Sequence, residues 1–203
     1  DRIMYRLYDT GLCQTFDLSD LAYPKKIASF ELGSHASSNH ANCAQTRIDD
    51  NGDVRLYVAG QKDGKTYVER MTTSSATLIQ TITLSPMELF DQTISLNAVC
   101  GDDGYLWCFG AGGDKLLFAK ARLPLLSEGD VTIGEDDILD FWSEGGYVYE
   151  EDVWQGGMVY KDFLFMLFGD RGAKAHLAVY DVRAHQRIMD IELSSAIKEE
   201  PED

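Results

Sequence analysis

Short runs in which apolar and polar residues alternate occupy most of the chain, and each run stops at a glycine or a turn dipeptide. Alternation with a period of two predicts strands that bury one face. The clearest example is Asn39–Gly60, which contains a strand, the turn Asp49-Asp50-Asn51-Gly52-Asp53 and a second strand. Asn-Gly and Asp-Gly dipeptides adopt the positive φ angles that two-residue hairpin turns require. The pattern predicts an all-β fold, since no helical period of useful length competes with it.

The predicted strands group into four successive units, which turns separate. The first unit has three strands and lacks an innermost one, whereas each of the other units has four. The strands of the first two units are residues 3–9, 12–18, 25–32, 42–48, 54–60, 66–72 and 76–84. Those of the last two units are residues 94–100, 105–110, 115–123, 138–142, 157–160, 163–169, 175–183 and 187–193.

The second strand of every unit ends in the same way, with a large side chain three residues before a glycine. The four pairs are Tyr8 and Gly11, Tyr57 and Gly60, Trp107 and Gly110, and Met166 and Gly169. They recur at intervals of roughly 50–60 residues, which is close to one β-propeller blade once insertions are allowed. We therefore predict an all-β β-propeller with about four visible blade units that belongs to a larger ring. The alternative is a β-sandwich, which explains the strand count but not this repeat.

The acidic composition narrows the choice of partners. The chain of 203 residues has 34 acidic and 18 basic side chains and a net charge of −16. Because a phosphate backbone is bound by clustered Lys and Arg, we expect no nucleic-acid partner. No apolar run approaches the ~20 residues of a membrane span. The sequence begins at Asp1 without an initiator Met and ends without a closing strand, so we expect one domain, 1–203, that continues beyond both ends.

Three short motifs resemble those of a known group of proteins. They are Asn39-His40-Ala41-Asn42, the later Leu56-Tyr57-Val58, and Glu200-Pro201-Glu202-Asp203 at the end of the chain. The first two resemble a His-x-Asn signature of uncharacterised β-propeller proteins exported by gut bacteria, and the third resembles a blade opening of six-bladed propellers. The resemblance implies an extracytoplasmic protein, periplasmic, secreted or surface-anchored, with about six blades. It implies no particular activity, because propellers include both enzymes and binding proteins.

Two loops hold the candidate binding residues. In a propeller the loops that precede the inner strands surround one mouth of the central channel, where ligands bind. The loop before the second unit carries imidazole and amide groups, and the loop before the fourth unit carries aromatic rings beside acidic residues. The predicted ligand-binding residues are His35, His40, Asn42, Tyr149, Trp154 and Gln155. Such groups suit a glycan or another small molecule, although they can equally fix loop backbone or pack between blades.

No catalytic motif appears at the spacing that its chemistry requires. The Asp49–Asp53 turn has the acidic residues of a calcium loop but neither its last ligand nor its helices, and we interpret it as a hairpin turn. We expect no metal and no cofactor, and we assign no catalytic residue. The favoured function is non-catalytic binding of a small-molecule or glycan ligand, or of another protein. The alternatives are a carbohydrate-active lyase or hydrolase that uses His40 with an acid from Glu150–Asp152, and a structural part of a larger assembly.

Overall fold

A computed structural model describes residues 3–7, 12–31, 41–62, 65–75, 77–89, 97–100, 104–112, 115–145, 155–169 and 175–193. In these ranges the chain forms strands joined by turns, together with two short 3-10 turns, Leu126–Glu128 and Glu135–Asp137. The strands of the first half are β1 (Ile3–Leu7), β2 (Leu12–Asp17), β3 (Lys25–Glu31), β4 (Ala41–Ile48), β5 (Val54–Lys62), β6 (Lys65–Thr72), β7 (Leu78–Leu84) and β8 (Asn97–Cys100). Those of the second half are β9 (Tyr105–Gly112), β10 (Lys115–Arg122), β11 (Val131–Ile133), β12 (Ile138–Gly145), β13 (Gln155–Tyr160), β14 (Phe163–Gly169), β15 (Ala175–Asp181) and β16 (Gln186–Glu192).

The strands form four separate sheets, and this confirms the predicted all-β class. Their strand orders are β1-β2-β3, β11-β7-β6-β5-β4, β12-β10-β9-β8 and β13-β14-β15-β16. Every pairing is antiparallel except that of β11 with β7. Apart from β11, each sheet consists of the strands of one predicted unit. The prediction that residues 138–142 supply the outer strand of the third unit is also confirmed, because β12 pairs with β10.

Strand β11 was not predicted, and it connects two sheets. It lies in the connection between β10 and β12 but pairs with β7, where Val131 is opposite Ile82 and Ile133 is opposite Leu84. The buried Gln80 amide donates hydrogen bonds to the carbonyl groups of Leu125 and Gly129. The connection of the third unit is thus fixed to the second sheet by main-chain pairing and by a buried side chain.

The sheets meet at their first strands. β4, β8 and β13 contact one another, and β1 contacts β4. The Arg47 guanidinium of β4 donates a hydrogen bond to the Val159 carbonyl of β13 at 2.8 Å. β13 packs closely against β9, since a Cβ atom on Gly157 of β13 would lie 2.9 Å from Cε1 of Phe109 of β9. Only glycine fits at that position unless the Phe109 ring moves.

An aromatic group fills the space between the third and fourth sheets. The rings of Phe118 and Trp142 stack with centroids 4.7 Å apart, and Phe118 also contacts Tyr180 at 4.7 Å. The imidazole ring of His185 also stacks on Trp142, with centroids 4.4 Å apart, and its Nε2 lies 2.7 Å from the Asp140 carboxylate. Offset and tilted ring contacts of this kind add about 0.5–1.5 kcal/mol each to the burial of the rings. The two sheets are therefore held face to face.

The Asp49–Asp53 segment is the hairpin turn that joins β4 to β5, as predicted. The Asp49 carboxylate accepts hydrogen bonds from the Asn51 and Asp53 N–H groups, both at 2.9 Å, and from Arg55 Nε at 2.7 Å. Gly52 takes a φ of 85°, which a residue with a Cβ atom adopts only with strain. The Asp49 side chain is fully shielded from solvent. Burial raises its pKa, but the three hydrogen bonds outweigh burial and hold the pKa below its usual range.

We expect Asp49→Asn to lower the free energy of unfolding by about 1–3 kcal/mol. The amide keeps the shape of the side chain but loses the charge that Arg55 and the two N–H groups bind. Denaturant unfolding followed by tryptophan fluorescence measures the loss. Asp136→Asn, at an exposed position in the second 3-10 turn, is the matched control and should stay within about 0.5 kcal/mol of wild type.

The difference in the free energy of unfolding between wild type and Asp49→Asn should also depend on pH. Because the pKa of Asp49 is lowered on folding, its contribution is complete above the pKa of the unfolded state, about 3.9. The contribution is lost as pH falls through the lower pKa of the folded state. The difference between wild type and Asp49→Asn should therefore be constant near neutral pH and shrink below about pH 4. A difference that grows on acidification would contradict this account of the turn.

Candidate functional site

A cleft of about 320 Å³ opens where strands of three sheets come together. It lies towards the carboxyl ends of β4 and β13, beside β1. Its lining residues come from β1, β4, β5 and β13, and they are mainly apolar or aromatic. They are Tyr5, Thr46, Arg47, Leu56, Met158, Val159 and Tyr160.

Large apolar side chains surround this cleft. Met158 and Tyr160 in its lining are 51% and 53% exposed. Ile48, which follows Arg47 in β4, is 72% exposed, and its cross-strand partner Val54 is also exposed. Single exposed apolar residues are common on protein surfaces, but a group beside a concave site is typical of a binding surface.

Arg47 is the one charged side chain among the lining residues. Its bond to the Val159 carbonyl holds the guanidinium between β4 and β13. A guanidinium has five N–H donors in a planar fork and pairs well with carboxylates. The cleft therefore combines apolar walls with one oriented cation.

Burial disfavours ionisation of Tyr5, in the lining of the cleft, and of Cys13 on β2. Burial raises the pKa of Tyr5, and the nearby Cys13 raises it further, while a hydrogen bond with Thr73 opposes the change. Burial also raises the pKa of the Cys13 thiol to about 11. A protonated phenol and a protonated thiol are poor bases and nucleophiles.

Most of the predicted site lies outside the described residues. His35, His40, Tyr149 and Trp154 belong to that part of the chain, and the predicted site at the loops stays a prediction. Asn42 lies in β4, and Gln155 is the first residue of β13. These two positions are near the amino ends of strands whose carboxyl ends form the cleft. The cleft and these two positions thus lie towards opposite ends of the same strands.

Sequence reasoning did not identify the residues that line the cleft. Tyr5, Met158 and Tyr160 occur in alternating runs and have the pattern of ordinary core residues. Their exposure depends on how the sheets pack together, and the alternation of apolar and polar residues along a strand gives no information about that packing. Arg47 was the available signal, because a charged residue in a strand that contacts other sheets requires a specific partner.

Comparisons with known proteins add little. No protein-family model matches the chain, and no curated protein matches it. Among solved structures, the chain is similar to the dihydro-heme d1 dehydrogenase NirN in complex with DHE, with a TM-score of 0.40 and 13% sequence identity. The match covers 94% of this chain and 35% of that chain, so the sequence spans about a third of its length. A similarity of this size defines neither the fold nor the function.

The described residues contain no group of three or more His, Cys, Asp or Glu side chains placed to hold a metal ion. No helix in the described ranges has the length and apolarity of a membrane span.

We expect Arg47→Met to lower the free energy of unfolding by about 1–3 kcal/mol, because the Val159 carbonyl loses its donor between two packed strands. Urea unfolding of the purified variant measures the change. Arg183→Met is the matched control, since Arg183 is exposed and pairs with Asp162 on the surface. It should change stability by less than about 0.5 kcal/mol. Equal effects of the two substitutions would show that Arg47 does not connect the sheets.

Proposed function

We propose that this protein is a non-catalytic binding protein of the β-propeller type, and that the cleft between β1, β4 and β13 is its ligand site. Four successive hairpin sheets that meet at their first strands support the propeller architecture. The resemblance of the sequence motifs to exported propellers supports a location outside the cytoplasm. The ligand is an apolar or aromatic group of a small molecule or of another protein.

One observation carries this proposal, namely an open cleft with apolar walls at the meeting point of three sheets. Its volume of about 320 Å³ is near the lower end of the range for ligand pockets. That size accepts one ring or one large side chain, with Arg47 beside it to orient a polar group. Ligand pockets commonly lie where several structural elements meet, as this cleft does.

The lining favours binding over catalysis. Among the described residues that line the cleft there is no carboxylate, imidazole or thiol. A glycosidase needs two carboxyl groups at a defined separation across its substrate. His40 and Glu150–Asp152, on which the carbohydrate-active alternative depends, lie outside the described residues.

The test of this function is a substitution that fills the cleft. Met158→Trp places a larger ring at a half-exposed position of the lining, so it should block the site with little loss of stability. The probe is anilinonaphthalene sulfonate, which is apolar, anionic and fluorescent when bound. We expect saturable binding to wild type and at least a tenfold weaker affinity in Met158→Trp.

Leu139→Trp is the matched control, because Leu139 is also an exposed apolar residue and lies on the outer strand β12. It should leave the affinity for the dye unchanged. If both variants bind the dye as wild type does, the cleft is not the site of binding. Circular dichroism of both variants shows whether each has kept its fold.

A further inference from the structure

We infer that Asn51-Gly52, in the turn between β4 and β5, is a latent modification site, where the asparagine deamidates when the turn opens and is protected while Asp49 holds the turn closed. This inference is independent of the proposed function. Three features support it: the chemistry of the dipeptide, the hydrogen bonds of the turn, and the effect of the product on those bonds.

An asparagine that precedes a glycine reacts readily with its own main chain, because glycine has no side chain to shield its amide nitrogen. When the Gly52 nitrogen gives its proton to solvent, it attacks Cγ of Asn51. The side-chain nitrogen of Asn51 takes up a proton and leaves as ammonia. Water then opens the five-membered succinimide ring at either carbonyl, which gives aspartate or isoaspartate. The reaction needs water alone, and Asn51 is exposed to solvent.

The folded turn restrains both reacting groups. The Gly52 N–H group donates a hydrogen bond to the Asp49 carbonyl at 3.0 Å, so its proton is held in the turn. The Asp49 carboxylate accepts hydrogen bonds from the N–H groups of Asn51 and Asp53, on either side of Gly52. Ring closure has to bring Cγ of Asn51 to the Gly52 nitrogen by rotation about main-chain bonds. The hydrogen bonds to Asp49 oppose that rotation.

Opening of the turn removes this protection. The turn lies at the exposed tip of a hairpin, and such segments open locally at a lower free energy than the whole fold. Because opening and closing are fast compared with deamidation, the rate in the folded protein is the rate of the open turn multiplied by its population. The Asp49 carboxylate binds two N–H groups of the turn and Arg55, and it therefore controls that population.

The product does not fit the closed turn. Isoaspartate carries the main chain through its own Cβ atom, which moves the N–H groups of Gly52 and Asp53 away from their acceptors on Asp49. Aspartate adds a negative charge beside Asp49 and Asp53, which already share one cation, Arg55. Deamidation thus makes a transient opening of the turn permanent.

The test measures deamidation of the purified wild-type protein during incubation at neutral pH. Trypsin cleaves after Arg47 and Arg55, and residues 48–55 contain Asn51 as their only side-chain amide. Mass spectrometry of this fragment, digested at mildly acidic pH, measures the conversion. The synthetic peptide Ile-Asp-Asp-Asn-Gly-Asp-Val-Arg is the unprotected reference. Asn51 should deamidate at least tenfold more slowly in the folded protein than in the peptide, and equal rates overturn the inference.

A substitution tests whether Asp49 controls the opening. Asp49→Ala should raise the deamidation rate of the folded protein at least fivefold. Met166→Ala is the matched control, because Met166 is fully buried in the fourth sheet and its loss destabilises the fold without contact with the turn. The control should stay within twofold of wild type. Equal acceleration by both substitutions would show that Asn51 reacts only after global unfolding, and the inference would be wrong.

Arg55→Met replaces Asp49→Ala if that variant does not fold, since it removes one hydrogen bond of the same carboxylate. It should raise the rate at least threefold, and an unchanged rate in a folded variant overturns the role of the Asp49 contacts.

The deamidated protein tests the effect of the product. It carries one more negative charge and can be separated by anion exchange. The amide protons of Gly52 and Asp53 should exchange at least tenfold faster in it than in fresh protein. The Val182 N–H group, which bonds to the Asp162 carbonyl in a turn of the fourth sheet, is the internal control and should not change. Unchanged exchange at Gly52 and Asp53 would contradict permanent opening.

Discussion

Burial of both faces of narrow sheets is the constraint on which this structure depends. A sheet of three to five strands cannot bury its own apolar faces, so it has to pack them against another element. The second, third and fourth sheets therefore pack against one another, through Phe118, Trp142 and Tyr180 between the third and fourth. The same requirement brings the first strands close enough for Arg47 to reach Val159. Close packing at Gly157 and the partly buried hydrogen bond of Arg47 are two results of one arrangement.

The cleft follows from that arrangement. Three sheets contribute a first strand to the meeting point, and the first sheet contributes β1, which corresponds to a second strand elsewhere. The cleft forms among these strands, and its walls are mainly apolar or aromatic. Met158 and Tyr160 lie at this junction and are about half exposed.

Much of the fold could be predicted from the sequence, because hairpin sheets are local. Alternation and Asn-Gly turns located the strands, and the pairing of neighbours in the chain followed from short connections. β11 was missed because three residues are too few to show a period, and its parallel pairing with β7 joins distant parts of the chain. The cleft could not be predicted, since Tyr5, Thr46 and Val159 meet only when separate sheets pack. Arg47 was visible in the sequence, but the residue that it contacts was not.

Amide hydrogen exchange of the wild-type protein, with and without saturating anilinonaphthalene sulfonate, tests the central claim most directly. If the cleft between β1, β4 and β13 binds the dye, amides of these strands should exchange more slowly in the complex. The outer strands β3 and β16 lie at the far edges of their sheets and should not change. Unchanged exchange in β4 and β13 at saturation, or an equal slowing in all four sheets, would contradict the account.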